Sequence, residues 1–303
     1  MRRIWTIIGA LVALAIFASP VAAQPRFQDH YAQNGAVKIH YVTTGKGPLV
    51  VMLHGFPDYW ATWKPLMGAL DGHYRVAALD LRGYNLSDKP QGEAAYAMAN
   101  LIGDVAAVIK AEGQTKAIVI GHDWGAAIAW QVAINRPDLV DKLVILSVPH
   151  PAGLLRELAT NPDQQKNSQY ARNFQQPGFE KNLTAEALAG WVKDPAEKPG
   201  YIEAFRRSDF TAMLNYYRAN YPRVTGEALT TSAQAPIPLI KAPVLVIHGM
   251  KDAALNAAGH NGTWDHVQAD TTILMIPTAA HFVQHDAEAL VNRTISDWLA
   301  ARP

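Results

Sequence analysis

The stretch from Lys116 through Gly121-His122-Asp123-Trp124-Gly125 to Ile134 constrains the fold of this chain more than any other. Lys116-Ala117-Ile118-Val119-Ile120 is short, mostly apolar and β-rich, and Ala126-Ala127-Ile128-Ala129-Trp130-Gln131-Val132-Ala133-Ile134 is a good helix. A strand that becomes a helix within one pentapeptide turns very sharply, and glycines at its two ends let the chain do so. The central side chain, Asp123, then projects above the edge of a sheet.

The rest of the chain supplies that sheet. Short apolar runs at Val37–Val42, Pro48–Leu53, Tyr74–Leu79, Leu143–Leu146, Val244–Gly249 and Thr272–Ile276 read as strands, and Leu101–Ala111 and Glu288–Leu299 as helices. Buried strands alternating with helices predict an α/β fold with a doubly wound, mostly parallel sheet. Between Pro149 and about Lys241 the pattern changes to helical segments rich in Tyr, Asn, Gln and Arg. Such a segment leaves the sheet and returns to it, so it reads as a helical lid over the strand C-termini, where ligands bind in these folds. The expected division is a signal peptide at 1–23, a core at 24–148 and 241–303, and a lid insertion at 149–240.

The leader is read from Arg2 and Arg3, the apolar stretch Ile7–Phe17, and Val21-Ala22-Ala23 before Gln24. This is the pattern of a secretory signal, which places the mature chain in the periplasm or outside the cell. An uncleaved anchor is the alternative. No other stretch is apolar enough to span a bilayer, so no membrane association is expected after cleavage. Losing Arg2 and Arg3 turns 27 basic and 26 acidic side chains into a near balance, with no basic patch for nucleic acid. The absence of cysteine removes disulfides, thiolate nucleophiles and Cys-ligated metals.

Three groups lie in the order carboxylate, acid, histidine: Asp123, Asp252 just past a strand, and His281 after the last strand. A carboxylate at the bend forms an alkyl ester rather than an acyl ester, so it attacks sp³ carbon and points to epoxides or alkyl halides. His281 would then take a proton from water to hydrolyse the ester, with Asp252 orienting the imidazole. The backbone N–H groups of Phe56, in His54-Gly55-Phe56-Pro57, and of Trp124 would form the oxyanion hole. Bland readings stand beside these: a degenerate bend, a surface histidine, an ion-paired loop at Arg82 and Asp88, and aromatic lid packing at Tyr216, Tyr217 and Tyr221. His54, His122 and His150 read as packing and loop-fixing groups.

The chain resembles the epoxide-hydrolase branch of the α/β-hydrolase superfamily. The resemblance rests on His54-Gly55-Phe56-Pro57-Asp58-Tyr59-Trp60, Asp80-Leu81-Arg82-Gly83-Tyr84-Asn85-Leu86-Ser87-Asp88-Lys89-Pro90, the pentapeptide around Asp123, Ser147-Val148-Pro149-His150-Pro151 and Leu214-Asn215-Tyr216-Tyr217-Arg218. It implies hydrolysis of a small-molecule epoxide to a diol, with Tyr217 as lid proton donor and with no cofactor or metal. Such enzymes bring a second lid tyrosine before Phe-Gln-x-Pro-Gly. Here Asn173 stands in that place, and Tyr170, one helical turn earlier, is the other candidate. Asn85 replaces a loop glycine, which predicts a positive φ there. The alternatives are a haloalkane or haloacid dehalogenase with the same nucleophile and base, acting on alkyl halides, and a periplasmic binding or sensing protein on the same scaffold. Trp124 would suit a halide site, but Phe56 stands where its second N–H donor would be. The sequence leaves the oligomeric state open.

Overall fold

The computed structural model describes residues 26–223 and 236–302. The expected signal peptide lies outside the described residues. Eight strands form one sheet: β1 (Gln28–Asn34), β2 (Val37–Thr44), β3 (Leu49–Leu53), β4 (Arg75–Leu79), β5 (Ala117–His122), β6 (Val140–Leu146), β7 (Val244–Gly249) and β8 (Thr271–Ile276), in the order β1-β2-β4-β3-β5-β6-β7-β8. β1 and β2 pair antiparallel, as do β2 and β4, and every other pairing is parallel. All residues of β3, β5 and β7 are buried, as expected of parallel strands covered on both faces.

Helices cover both faces. α1 (Lys64–Leu70) and α11 (Glu288–Ala300) pack on one side, over a cluster that includes Leu66, Val291 and Trp298. α2 (Met98–Ala111) and α3 (Trp124–Asn135) cover the other, and the cluster under them, with Val105 and Trp130, continues into Leu214 and Tyr216 beyond the strand ends. Between β6 and β7 the chain forms α4 (Pro151–Thr160), α5 (Pro162–Asn167), α6 (Gln169–Phe174), α7 (Ala185–Leu188), α8 (Lys198–Arg207) and α9 (Phe210–Asn220). It contributes no strand to the sheet among the described residues. A four-residue turn, α10 (Val283–Asp286), precedes α11. No helix among the described residues is long and apolar enough to cross a membrane.

Two local features differ from the sequence reading. β1 carries only one buried residue, Ala32, so its polar run gives no apolar signal; pairing along β2 makes it a strand. Arg82 pairs with Asp104 rather than Asp88, through Nε and Nη2 at 2.6 Å. Asp88 instead accepts the Lys38 N–H at 2.7 Å. Asn85 has φ 37°, the left-handed backbone its loop position predicts.

Candidate active site

Parallel strands deliver their C-termini to one edge, and five loops at that edge build the site. β5 ends in Asp123, which has φ 51° and ψ −123° and opens α3. This backbone is costly for a non-glycine residue, about 1–3 kcal/mol, and persists only because its surroundings fix it. Gly125 allows it: a Cβ there would collide with the carbonyl oxygens of Leu53 and His54 at the end of β3.

The Asp123 carboxylate is held from two sides. Oδ1 accepts the Phe56 N–H at 2.6 Å. Oδ2 lies 3.2 Å from His281 Nε2. His281 Nδ1 lies 2.8 Å from Asp252 Oδ2, and Asp252 Oδ1 accepts the N–H groups of Ala254 and Leu255 at 2.8 and 3.0 Å. The structure therefore brings Asp123, His281 and Asp252 into one line. Trp124 is the first residue of α3, where an N–H has no acceptor within the helix, so it points out of the same helix end.

Charge follows from this line. Burial disfavours the imidazolium of His281, but the two carboxylates outweigh it and raise its pKa to about 10. Burial also opposes ionisation of Asp123 and Asp252, yet His281 and the backbone N–H groups win, and both sit below their ordinary value. At neutral pH the site rests as an imidazolium between two carboxylates.

The flanking histidines serve the frame. His122 Nε2–H and the Ser147 hydroxyl both donate to the His281 carbonyl, at 2.9 and 2.7 Å, and so fix the backbone that carries the imidazole. Burial lowers His122 to about 3, so it stays neutral. His54 accepts the Leu81 N–H at 3.0 Å and is lowered by burial to about 4. His150 caps α4 by accepting the Ala152 N–H at 3.3 Å.

Asp123 opens onto a cavity of about 230 Å³ whose walls include Met98, Trp124, Trp130, Leu154, Tyr170, Tyr217, Tyr221 and Leu255. Asp123 is the only charged side chain among the described residues that line it. Tyr217 packs edge-on against Trp124 at 5.0 Å and against Phe56 at 5.6 Å. Tyr170 meets Tyr217 edge-on at 6.1 Å. Burial pushes both phenols well above their usual pKa, so both keep their protons. On the other side, His281 and Tyr170 line a larger cavity of about 690 Å³ with Trp191, Lys193, Glu197 and Lys251.

Asn173 is not part of the site, which corrects its reading as a candidate second lid donor. It is exposed and accepts from Gln169 Nε2 at 2.9 Å. Helical phase is the reason: Tyr170 and Phe174 share the inward face of α6, and Gln169 and Asn173 share the outward one. The apolar spacing of Tyr170 and Phe174 is the sequence signal for this choice. Sequence reasoning missed two lid residues that grip the core loops. Gln164, buried on α5, donates to Ala254 O at 2.8 Å and accepts the Asn256 N–H at 2.7 Å, and so holds the loop after Asp252. Trp191 touches the loops of both Phe56 and His281. No motif marks either, because their partners are distant in sequence. Among the described residues, no group of three or more His, Asp or Glu side chains could hold a metal ion.

The alpha/beta hydrolase fold family matches residues 48–288 of this chain. The AB hydrolase superfamily protein YfhM of Bacillus subtilis (strain 168) is 35% identical over 286 residues, covering 89% of this chain and 96% of that protein. Epoxide hydrolase 1 of Caenorhabditis elegans is 30% identical over 301 residues, covering 90% of this chain and 70% of that protein. Among solved structures, a variant of an epoxide hydrolase from Bacillus megaterium superposes with a TM-score of 0.83 at 32% identity, over 89% of this chain and 100% of that one. A second variant of an epoxide hydrolase from that organism, complexed with its naphthyloxy-propanediol product, gives 0.82 at 31% identity, over the same shares of the two chains.

Proposed function

The chain belongs to the alpha/beta hydrolase fold family and is an epoxide-hydrolase-like hydrolase, and from that premise we propose that it opens uncharged, lipophilic epoxides to vicinal diols through an ester on Asp123. One observation carries the reading: two protonated phenols, Tyr170 and Tyr217, line the same apolar cavity as an ionised, strained carboxylate. A ring oxygen leaving carbon in such a cavity becomes a basic alkoxide and needs a proton donor at once.

Oδ2 of Asp123 attacks an epoxide carbon, and the C–O bond breaks with its electron pair going to oxygen. That oxygen takes a proton from Tyr217, with Tyr170 as second donor. The ester now holds no negative charge at Asp123, so one of the two anions that keep His281 protonated is gone; the imidazolium gives up its proton, the Tyr217 phenolate regains one, and the neutral imidazole can act as base. It takes a proton from water while the hydroxyl adds to the ester carbonyl. The carbonyl oxygen is the former Oδ1, which already faces the Phe56 N–H, and Trp124 N–H completes the hole. Collapse expels the diol oxygen, which takes the proton held on His281, and the Asp123 carboxyl then passes its own proton to the imidazole, so carboxylate, imidazolium and phenol all return.

The apolar lining supports aryl or alkyl substituents and, among the described residues, offers no cation for an acidic substituent. An alkyl halide would use the same Asp123 and His281, but its leaving halide needs no proton from a phenol. Export rests on the leader at 1–23, and the N-terminus of protein recovered from the periplasm should begin at Gln24.

His281→Gln tests the mechanism. Added to styrene oxide, this variant should gain one epoxide mass on Asp123 and release no diol, because attack does not need the base and hydrolysis does. An adduct on another residue would overturn the mechanism. Halide release from alkyl halides with no adduct from any epoxide would overturn the substrate class.

A further inference from the structure

Trp191 ends a short 3₁₀ turn, Ala189–Trp191, in the middle of the lid, yet it makes contact with two core loops of the site. Its ring lies flat on Phe282, with centroids 3.8 Å apart and planes within 6°. Its Nε1–H donates to the Pro57 carbonyl at 3.0 Å. Phe282 follows His281 and packs edge-on against its imidazole, with centroids 5.5 Å apart and planes at 85°. Pro57 follows Phe56, whose N–H holds Asp123. Tyr201 and His285 close on the indole edge-on, at 5.2 and 5.0 Å. One indole therefore stands one residue away from the base and one residue away from an oxyanion donor.

We propose that Trp191 is a positioning residue that locks the His281 imidazole and the Phe56 N–H in register over Asp123. This rests on the roles given to those groups above. The backbone of Asp123 is set by β5 and α3 rather than by Trp191, and only its carboxylate contacts reach the latched loops, so ester formation depends on the latch less than hydrolysis does. Ester hydrolysis needs both loops that Trp191 holds. The latch therefore acts on the second step selectively, whereas a general loss of packing would slow both steps or only lower the melting temperature.

The test is single-turnover kinetics with styrene oxide, in which intact mass follows the ester and chromatography follows the diol. Trp191→Ala should form the ester within about threefold of the wild-type rate and hydrolyse it about 10- to 100-fold more slowly, the scale of a misplacement near 1 Å. In steady state kcat and KM should then fall together, because the ester accumulates. Trp191→Phe keeps a ring on Phe282 and should recover most of the hydrolysis rate. Trp191→Leu keeps bulk without the stack and should not. Wild-type hydrolysis in Trp191→Ala, or in Trp191→Leu if the alanine variant does not fold, overturns the latch. Diol formation by the wild-type protein with no ester on Asp123 overturns instead the reading on which it rests.

Discussion

The backbone N–H of Phe56 donates to Oδ1 of Asp123 at 2.6 Å, which distinguishes the two oxygens of the carboxylate before any substrate arrives. Oδ1 is tethered to the Phe56 N–H, and Oδ2 faces His281. This closeness is allowed by Gly55, where an added Cβ would overlap both Oδ1 and the Cβ of Asp123. Gly55→Ala should displace the carboxylate and lower kcat/KM by about 10²-fold or more. Circular dichroism would report a native fold alongside the loss.

On the proposed mechanism the two lid phenols divide one task. Tyr217→Phe and Tyr170→Phe should each slow ester formation from epoxides, and the double variant should lose about 10²–10⁴-fold, the usual worth of a general acid. A departing bromide takes no proton, so alkylation by an alkyl bromide should escape this loss. Equal losses with both substrates would argue against proton donation.

The two steps should differ in pH dependence. Asp123 sits below the ordinary carboxylate value of about 3.9, so ester formation should stay flat from about pH 5 upward. His281 is raised to about 10 by two carboxylates that outweigh its burial. In the ester only Asp252 remains, so its pKa falls. On the proposed mechanism hydrolysis uses the neutral imidazole, and its rate should rise with pH through that lower value and then level off. Stopped-flow measurement of both steps across pH would check the difference, and matching profiles would contradict it.

Gln164 satisfies two backbone groups of the loop after Asp252. Gln164→Leu would leave Ala254 O and Asn256 N–H without their side-chain partner, which should cost about 1–3 kcal/mol in urea unfolding. Ester hydrolysis should also slow, since Asp252 orients His281 from that loop.

Asn173→Ala should do nothing to either step and change stability by no more than about 0.5 kcal/mol, because the side chain is exposed and meets only Gln169. A loss of epoxide turnover would return Asn173 to the site.

The sheet was legible because parallel strands buried on both faces must be continuous apolar runs, and β3, β5 and β7 are. The line of Asp123, His281 and Asp252 was legible because each stands just past the end of a strand, where topology leaves little freedom. β1 was hidden because an edge strand with polar side chains has no apolar period. Arg82 was matched to the wrong acid because Asp104 is close only across α2. Gln164 and Trp191 were hidden for the same reason: their partners lie about 90 residues onward in both cases and, for Trp191, also 134 residues back at Pro57.

Gln164 and Trp191 give the insertion a part in the machinery beneath it. If the whole roof were raised to let a bulky guest pass, the bolts that align the chemistry would come out with it. On the proposed role of Trp191, traffic slips between side chains while the roof stays down. The widest molecule that can be processed is then set by the gap those side chains leave, so resculpting Met98 or Leu154 should alter the range of guests more safely than loosening Gln164 or Trp191.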